Sequence, residues 1–273
     1  MDIDRFWQLI DQARTAAGPQ ADQAIRDFDL RDDGDPDRDY WDFDDEDMQA
    51  LVESARAEFA APSGDADESD DALADLEDDD EDEDEDDITD PVALALYELL
   101  TQLPAAEIAG FDNTFEDVRA RAGEATLANA AVLIEHGFLG DDSFDDFRAG
   151  LVALGRTSFE AALANPDTLA DHPMVREIAA ANDPRWLGRE DMLFVASHAY
   201  AAVTGEDEIT FYDYAEGMRD SAAEPADSTE AEPEWPITDE HEARRRLPRL
   251  SEMFYERSMR NRKRALDKLG MQD

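Results

Sequence analysis

Apolar residues recur at helical spacing along most of the chain, and this pattern predicts a bundle of helices. Residues 4–17 carry one apolar face that stops at Gly18-Pro19, a pair typical of a helix end. Asp90-Pro91 combines an N-cap aspartate with proline at the first helical position, so a second helix is expected to begin there. Strand-like alternation is scarce, and the predicted class is therefore all-α, a multi-helix, bundle-like single domain.

Further segments extend the helical pattern. Residues 104–122 repeat apolar side chains every three or four positions, and residues 124–136 are apolar nearly all round, which predicts a central helix. Residues 141–170 combine an apolar stripe with a turn at its end, and predict a pair of core helices. Residues 188–204 predict another helix. Residues 173–184 are expected to be irregular, and ITFYDYAEGM is read as a short aromatic segment with a strand as the lesser alternative.

Charge interrupts this pattern after the first helix. The chain has a net charge of −48, and residues 22–90 hold 33 Asp or Glu against 4 Arg, a net of −29. Residues 45–60 within this stretch have helical spacing. Residues 62–87 have almost no apolar side chains and are predicted to be disordered, because like charges repel and remain solvated.

The composition predicts the layout of the chain. The predicted divisions are a first core helix (1–21), an acidic insertion (22–90), a main helical domain (91–219), a linker (220–238) and a basic C-terminal segment (239–273). In the last of these, the spacing predicts one helix broken near Pro248, or two helices. Its Arg and Lys outnumber its Asp and Glu, so the sign of the charge reverses at the end of the chain.

Several classes of protein and site are excluded by what the sequence lacks. There is no cysteine, which excludes disulfides, zinc–thiolate sites and cysteine nucleophiles. The N-terminus has neither the basic region nor the apolar run of a signal peptide, and no apolar run approaches the length of a membrane span. The usual nucleotide-binding and hydrolase motifs are missing. We therefore predict a cytoplasmic protein with no cofactor and no assignable catalytic residues.

Five motifs of the chain resemble a known family. They are FWQLID, LPAAEIAGFDNTF, DDSFDDFRAGLVALGRTSFEAALANPDTLAD, REDMLFVASHAYAAVTG and RRRLPRLSEMF. Together they resemble a bacterial family catalogued as domain of unknown function 4240, over residues 1–17 and 90–255. The resemblance implies a helical domain without an established activity. The chain departs from the family pattern in its acidic stretch, where a short connection is expected, and at residues 149–150, where Ala-Gly is smaller than the aromatic expected nearby.

The strongest polar cluster lies at the start of the 141–170 segment. Its candidate binding residues are Asp141, Asp142, Asp145, Arg148 and Arg156, with Asp146 between them. Grouped carboxylates of this kind bind divalent ions or perform acid–base chemistry. The simpler interpretation, which we favour, is that Asp141 or Asp142 caps the helix while the arginines pair with carboxylates of other helices.

Two other candidate sites have weaker patterns. The four histidines, His136, His172, His198 and His241, lack metal-ligand spacing, and we predict structural roles for them. For His136, at a helix end, a cation is favoured. DLRDDGDPDRDY, residues 29–40, resembles a calcium loop only in part, because a tyrosine occupies the position of the bidentate glutamate. No metal site is predicted.

The charge distribution gives the leading functional hypothesis. A surface this acidic is repelled by nucleic-acid phosphate, so no DNA binding is expected, whereas a basic protein would be attracted. We predict a non-enzymatic interaction or regulatory domain with a basic protein partner. The alternatives are an enzyme using the Asp141–Arg156 cluster, and acidity that serves only solubility or salt adaptation. For the basic C-terminal helix, we favour contact with the chain's own acids over binding of RNA or anionic lipid.

Overall fold

The computed structural model describes residues 1–26, 88–137, 139–181, 185–219 and 235–269. Most of these residues, 77%, are helical, which confirms the predicted all-α class. The helices are α1 (Ile3–Ala17), α2 (Pro91–Leu100), α3 (Ala105–Ala120), α4 (Ala125–Ile134), α5 (Asp141–Ala153), α6 (Arg156–Ala164), α7 (Pro173–Ala180), α8 (Asp191–Thr204), α9 (Glu208–Met218), α10 (Glu240–Arg246) and α11 (Pro248–Leu269), with 3₁₀ turns at Gly18–Asp22 and Pro166–Asp171. Strands β1 (Ile25–Arg26) and β2 (Arg185–Trp186) form one short antiparallel pair.

Several sequence predictions fall on the undescribed parts of the chain. The disorder predicted for 62–87, the helix predicted for 45–60 and the calcium-like sequence at 29–40 all lie outside the described residues, as does the predicted linker up to residue 234. At the end of that linker, Trp235 and Ile237 are buried against the core. The chain is thus packed again three residues before α10 begins.

Local sequence sets where two of the helices begin. The Asp90 carboxylate accepts hydrogen bonds from the backbone of Val92 and Ala93 (2.9 and 2.8 Å), with Pro91 at the first helical position, as predicted. The prediction that Asp141 or Asp142 caps the helix at the start of the 141–170 segment is wrong. The extended residue before α5 is Gly140, which has no side chain to accept a capping hydrogen bond, and Asp141 already lies inside the helix.

Two segments are more regular than the sequence pattern predicts. The region expected to be irregular contains α7, because His172 accepts a hydrogen bond from Met174 N and Pro173 occupies the first helical position. The segment ITFYDYAEGM is a helix, α9, rather than a strand. Asp207 caps it by accepting a hydrogen bond from Thr210 N at 2.8 Å.

The core is continuous and rich in phenylalanine. Phe6 of α1 and Phe111 of α3 are fully buried, with ring centroids 5.0 Å apart. Trp7 packs on Phe159 of α6 at 5.5 Å, which joins the first helix to the middle of the chain. The longest described helix, α11, is strongly charged, and none of the described helices is long and apolar enough to cross a membrane.

Close backbone packing explains the small residues at 149–150. Ala149 is fully buried, and a methyl group on Gly150 would collide with the Leu187 carbonyl oxygen. A larger side chain at Gly150 would therefore separate α5 from the segment that follows β2.

Gly150→Ala is expected to lower the free energy of unfolding by about 1–3 kcal/mol, because overpacking forces the backbone apart. Urea unfolding measures this change. Gly217→Ala in α9 is the matched control, since its added methyl group meets open space and improves helix propensity. Equal effects of the two substitutions would contradict the close packing at Gly150.

Candidate functional site

Two of the predicted binding residues form part of an ion-pair cluster between helices. Asp145 on α5 pairs with Arg119 of α3 at 2.9 Å and also with Arg148, one turn further along its own helix. The Arg148 guanidinium lies 5.0 Å from the centroid of the Phe144 ring. Burial lowers the pKa of Arg148, and the nearby Arg119 lowers it further. The Asp145 carboxylate and both guanidinium groups therefore hold α5 against α3.

The other predicted residues lie outside this cluster. Arg156 begins α6 and bonds Asp4 of α1 at 2.7 Å, with about half of its side chain exposed. Asp142 is exposed in the first turn of α5. The side chain of Asp141 is outside the described part of the structure. The five residues consequently do not converge on one described site.

A buried carboxyl group that the sequence analysis missed follows α4. Glu135 is almost fully buried, and its Oε1 accepts hydrogen bonds from the backbone N–H groups of Leu187 and Gly188 (3.0 and 3.1 Å). Burial raises the pKa of Glu135 to about 8, despite those two hydrogen bonds. Its Oε2 has no hydrogen-bond partner among the described residues. Buried, perturbed carboxyl groups of this kind are frequent at functional sites.

His136 is held in an unusual backbone conformation beside this carboxyl group. Its φ of +62° is the only positive value among the described residues other than glycine. The ring lies edge-on to Trp186 at 4.9 Å, and Nε2 is 2.8 Å from the Arg185 carbonyl oxygen. Burial lowers the pKa of His136 to about 4. The expectation that this helix end favours a cation is therefore wrong, because burial outweighs the helix dipole.

Asp146 adds a second perturbed carboxyl group on the facing helix. Its pKa is raised to about 6, first by burial and then by the neighbouring charges of Glu190 and Asp142. Its backbone carbonyl accepts a hydrogen bond from Arg189 N (3.0 Å). Glu135 and Asp146 can hold and release protons near neutral pH. No group of three or more His, Asp or Glu side chains in the described ranges is arranged to hold a metal ion.

Arg189 joins the two chain segments that flank the acidic stretch. Its side chain is fully buried and pairs with Asp90, the N-cap of α2. On the other side, its Nη2 donates to the carbonyl oxygens of Ala21 and Gln23, at 3.1 and 3.2 Å. Residues on both sides of the 27–87 segment are thus fixed at one point of the domain.

A shallow depression lies between α1 and the start of α6. It has a volume of about 560 Å³ and is open over most of its extent, with Trp7, Gln8, Asp11 and Arg156 among its lining residues. Small-molecule sites enclose most of their ligand. A depression this open is better suited to contact with another surface.

The comparisons with known proteins give a family and no activity. The family model described as Protein of unknown function (DUF4240) matches residues 72–202. The match spans three of the motifs that carry the resemblance, from LPAAEIAGFDNTF into REDMLFVASHAYAAVTG. No curated protein and no solved structure matches the chain. Over residues 72–202 the chain therefore matches the DUF4240 family of proteins of unknown function.

Proposed function

We propose that the chain is a helical interaction domain whose acidic stretch, residues 22–90, recruits a basic protein partner. The observation that carries this proposal is the concentration of charge, 33 Asp or Glu against 4 Arg within that stretch. Such a field raises the local concentration of a cationic protein and accelerates its encounter. The effect is expected to weaken as salt shortens the screening length.

The attachment of this stretch supports the proposal. Arg189 bonds Asp90 on one side of the stretch and the carbonyl oxygens of Ala21 and Gln23 on the other. Both attachment points therefore lie together on a packed helical domain. A partner attracted by the acids would be brought to the surface around those points.

Neutralising the ten acids at 78–87, Asp to Asn and Glu to Gln, should slow association with the partner by about tenfold at low salt. The dissociation rate should change much less, since long-range charge acts mainly on encounter. Surface plasmon resonance at two salt concentrations measures both rates. An unchanged association rate would instead assign the acidity to solubility or salt adaptation.

The partner is obtained by affinity capture from a native lysate, with the full chain as bait. We expect a stoichiometric basic protein at low and moderate salt, and a reduced yield with the 78–87 variant as bait. Recovery of no stoichiometric protein at either salt concentration would overturn the proposed function.

A further inference from the structure

We propose that α8 and α9 carry a docking site for an arginine-bearing segment of the partner. This inference rests on the proposed function and names the surface that the partner contacts. We define the tyrosine face as the exposed large apolar and aromatic side chains of these two helices, which are Phe194, Val203, Ile209, Tyr212, Tyr214 and Met218. Their exposed fractions run from 37% for Phe194 to 76% for Ile209.

The tyrosine face is exposed because α9 lies against the domain along a narrow stripe. Of its 11 residues only Phe211 and Ala215 are buried. Tyr200 of α8 is itself buried and contacts Phe211 and Tyr214, with ring centroids 5.1 and 5.6 Å away. Phe211 in turn contacts Tyr212 at 5.3 Å, so buried rings hold α9 against α8 and leave Tyr212 and Tyr214 partly exposed beside them. Exposed apolar surface with a polar rim marks interaction sites in soluble proteins.

The sequence of α8 and α9 contains carboxylates and no arginine or lysine. Residues 190–218 contain seven Asp or Glu and neither Arg nor Lys. The next basic residue along the chain, Arg219, pairs with Asp117 of α3 at 3.5 Å. Asp213 and Glu216 are exposed on α9, between and beside the tyrosines. The two helices therefore combine apolar contact area with an excess of negative charge, which fits a cationic partner.

The tyrosines also keep their hydroxyl groups neutral. Tyr212 donates a hydrogen bond to Glu208 at 3.0 Å, and Tyr200 donates to Glu206 at 2.6 Å. Burial and the Glu208 hydrogen bond raise the pKa of Tyr212 to about 12, and the Glu206 hydrogen bond raises that of Tyr200 to about 12. Both rings stay uncharged at neutral pH and retain the electron-rich face that attracts cations.

The chain itself shows which cation suits such a surface. The Arg244 guanidinium lies 5.5 Å from the centroid of the Tyr255 ring and bonds both Glu240 (2.7 Å) and Glu256 (3.1 Å). Arg246 repeats the arrangement over Trp235 at 5.5 Å. A planar guanidinium can stack on an aromatic ring and donate to carboxylates at the same time, which the ammonium of lysine does less well. The tyrosine face presents the ring and the carboxylates, and the partner would supply the arginine.

Tyrosine ring NMR tests the site on the full chain. The chain has six tyrosines, so selective ring labelling gives a short set of signals. The probe is Nα-acetyl-arginine methylamide, and its uncharged citrulline counterpart is the control. We expect saturable shifts at Tyr212 and Tyr214 with the arginine probe alone. Tyr255, already covered by Arg244, is an internal control and should not shift.

A pair of variants tests the contribution of the carboxylates. Asp213→Asn with Glu216→Gln should weaken binding of the arginine probe by about three- to tenfold, because a charge-assisted contact is lost. Glu124→Gln with Glu252→Gln is the matched control, since both glutamates are exposed and lie away from α8 and α9. Equal binding by both double variants would overturn the docking site.

The remaining outcomes separate the site from the proposed function. Equal shifts with the arginine and citrulline probes would overturn the docking site. Tyrosine shifts that follow protein concentration alone would also overturn it, and would indicate that another copy of the chain covers the tyrosine face. If a basic protein is captured but the arginine probe shifts no signal of Tyr212 or Tyr214, the docking site is overturned and the proposed function stands. If the arginine probe shifts the signals of Tyr212 and Tyr214 but no protein is captured, the proposed function is overturned and the arginine site stands.

Discussion

Arg189→Ala is expected to lower the free energy of unfolding by about 3–5 kcal/mol, the usual effect of removing one member of a buried ion pair. The substitution leaves the Asp90 carboxylate buried without its counter-ion and deprives the carbonyl oxygens of Ala21 and Gln23 of a donor. Urea unfolding followed by circular dichroism measures the loss. The effect should be the largest of any single arginine-to-alanine change in the described domain.

Two further variants test the cause of that loss. Arg176→Ala removes an arginine whose pair with Asp171 is largely exposed on both sides, and should change stability by less than about 1 kcal/mol. Adding Asp90→Asn to Arg189→Ala should recover part of the stability, because the amide oxygen still caps α2 while the unpaired charge is gone. A loss no larger than that of Arg176→Ala would show that the buried pair contributes little.

Raising the pH from 6.5 to 8.5 should lower the free energy of unfolding, and Glu135 should account for about 1–2 kcal/mol of the change. The folded-state pKa of Glu135 is about 8, against an ordinary value of 4.5 for a glutamate side chain. In this range the folded chain binds a proton that the unfolded chain has released, so stability falls as pH rises. Asp112, with a pKa of about 7 through burial and the charge of Glu116, contributes in the same direction.

Glu135→Gln should flatten this pH dependence while retaining an oxygen that accepts from Leu187 and Gly188. Glu107→Gln, on the exposed side of α3, is the control for removing one negative charge. Urea unfolding at pH 6.5, 7.5 and 8.5 provides the comparison. Equal slopes for the wild-type chain and Glu135→Gln would contradict a raised pKa at this position.

The helices were predictable because their signals are local. Apolar spacing and the Asp90-Pro91 pair act within one or two turns, and the structure follows them closely. The wrong predictions about helix starts also depend on local signals. Residues 173–180 form a helix through the capping action of His172, a residue that is uncommon at that position. Gly140, rather than either following aspartate, precedes α5.

The buried polar groups were not predictable in this way. Arg189 meets Asp90 across 99 positions of the chain, and Glu135 meets Leu187 across 52. Contacts between residues so far apart in the chain produce no periodic pattern in the sequence. Each of these charged residues alone looks like an ordinary surface residue. Within the predicted polar cluster, Arg156 pairs with Asp4 of another helix, whereas Arg148 pairs with Asp145 of its own helix. The partner of Asp145 on another helix, Arg119, lies in a segment that the sequence analysis interpreted only by its apolar stripe.

The contacts of Arg189 determine how far the helical domain depends on the length of the 27–87 segment. For a flexible connection between two fixed points, each doubling of length costs only about 0.6 kcal/mol of closure entropy. Because Arg189 fixes both sides of the 27–87 segment through Ala21, Gln23 and Asp90, the helical domain depends little on what joins them. A short connection, or one of different charge, could therefore replace this segment while the core keeps its packing.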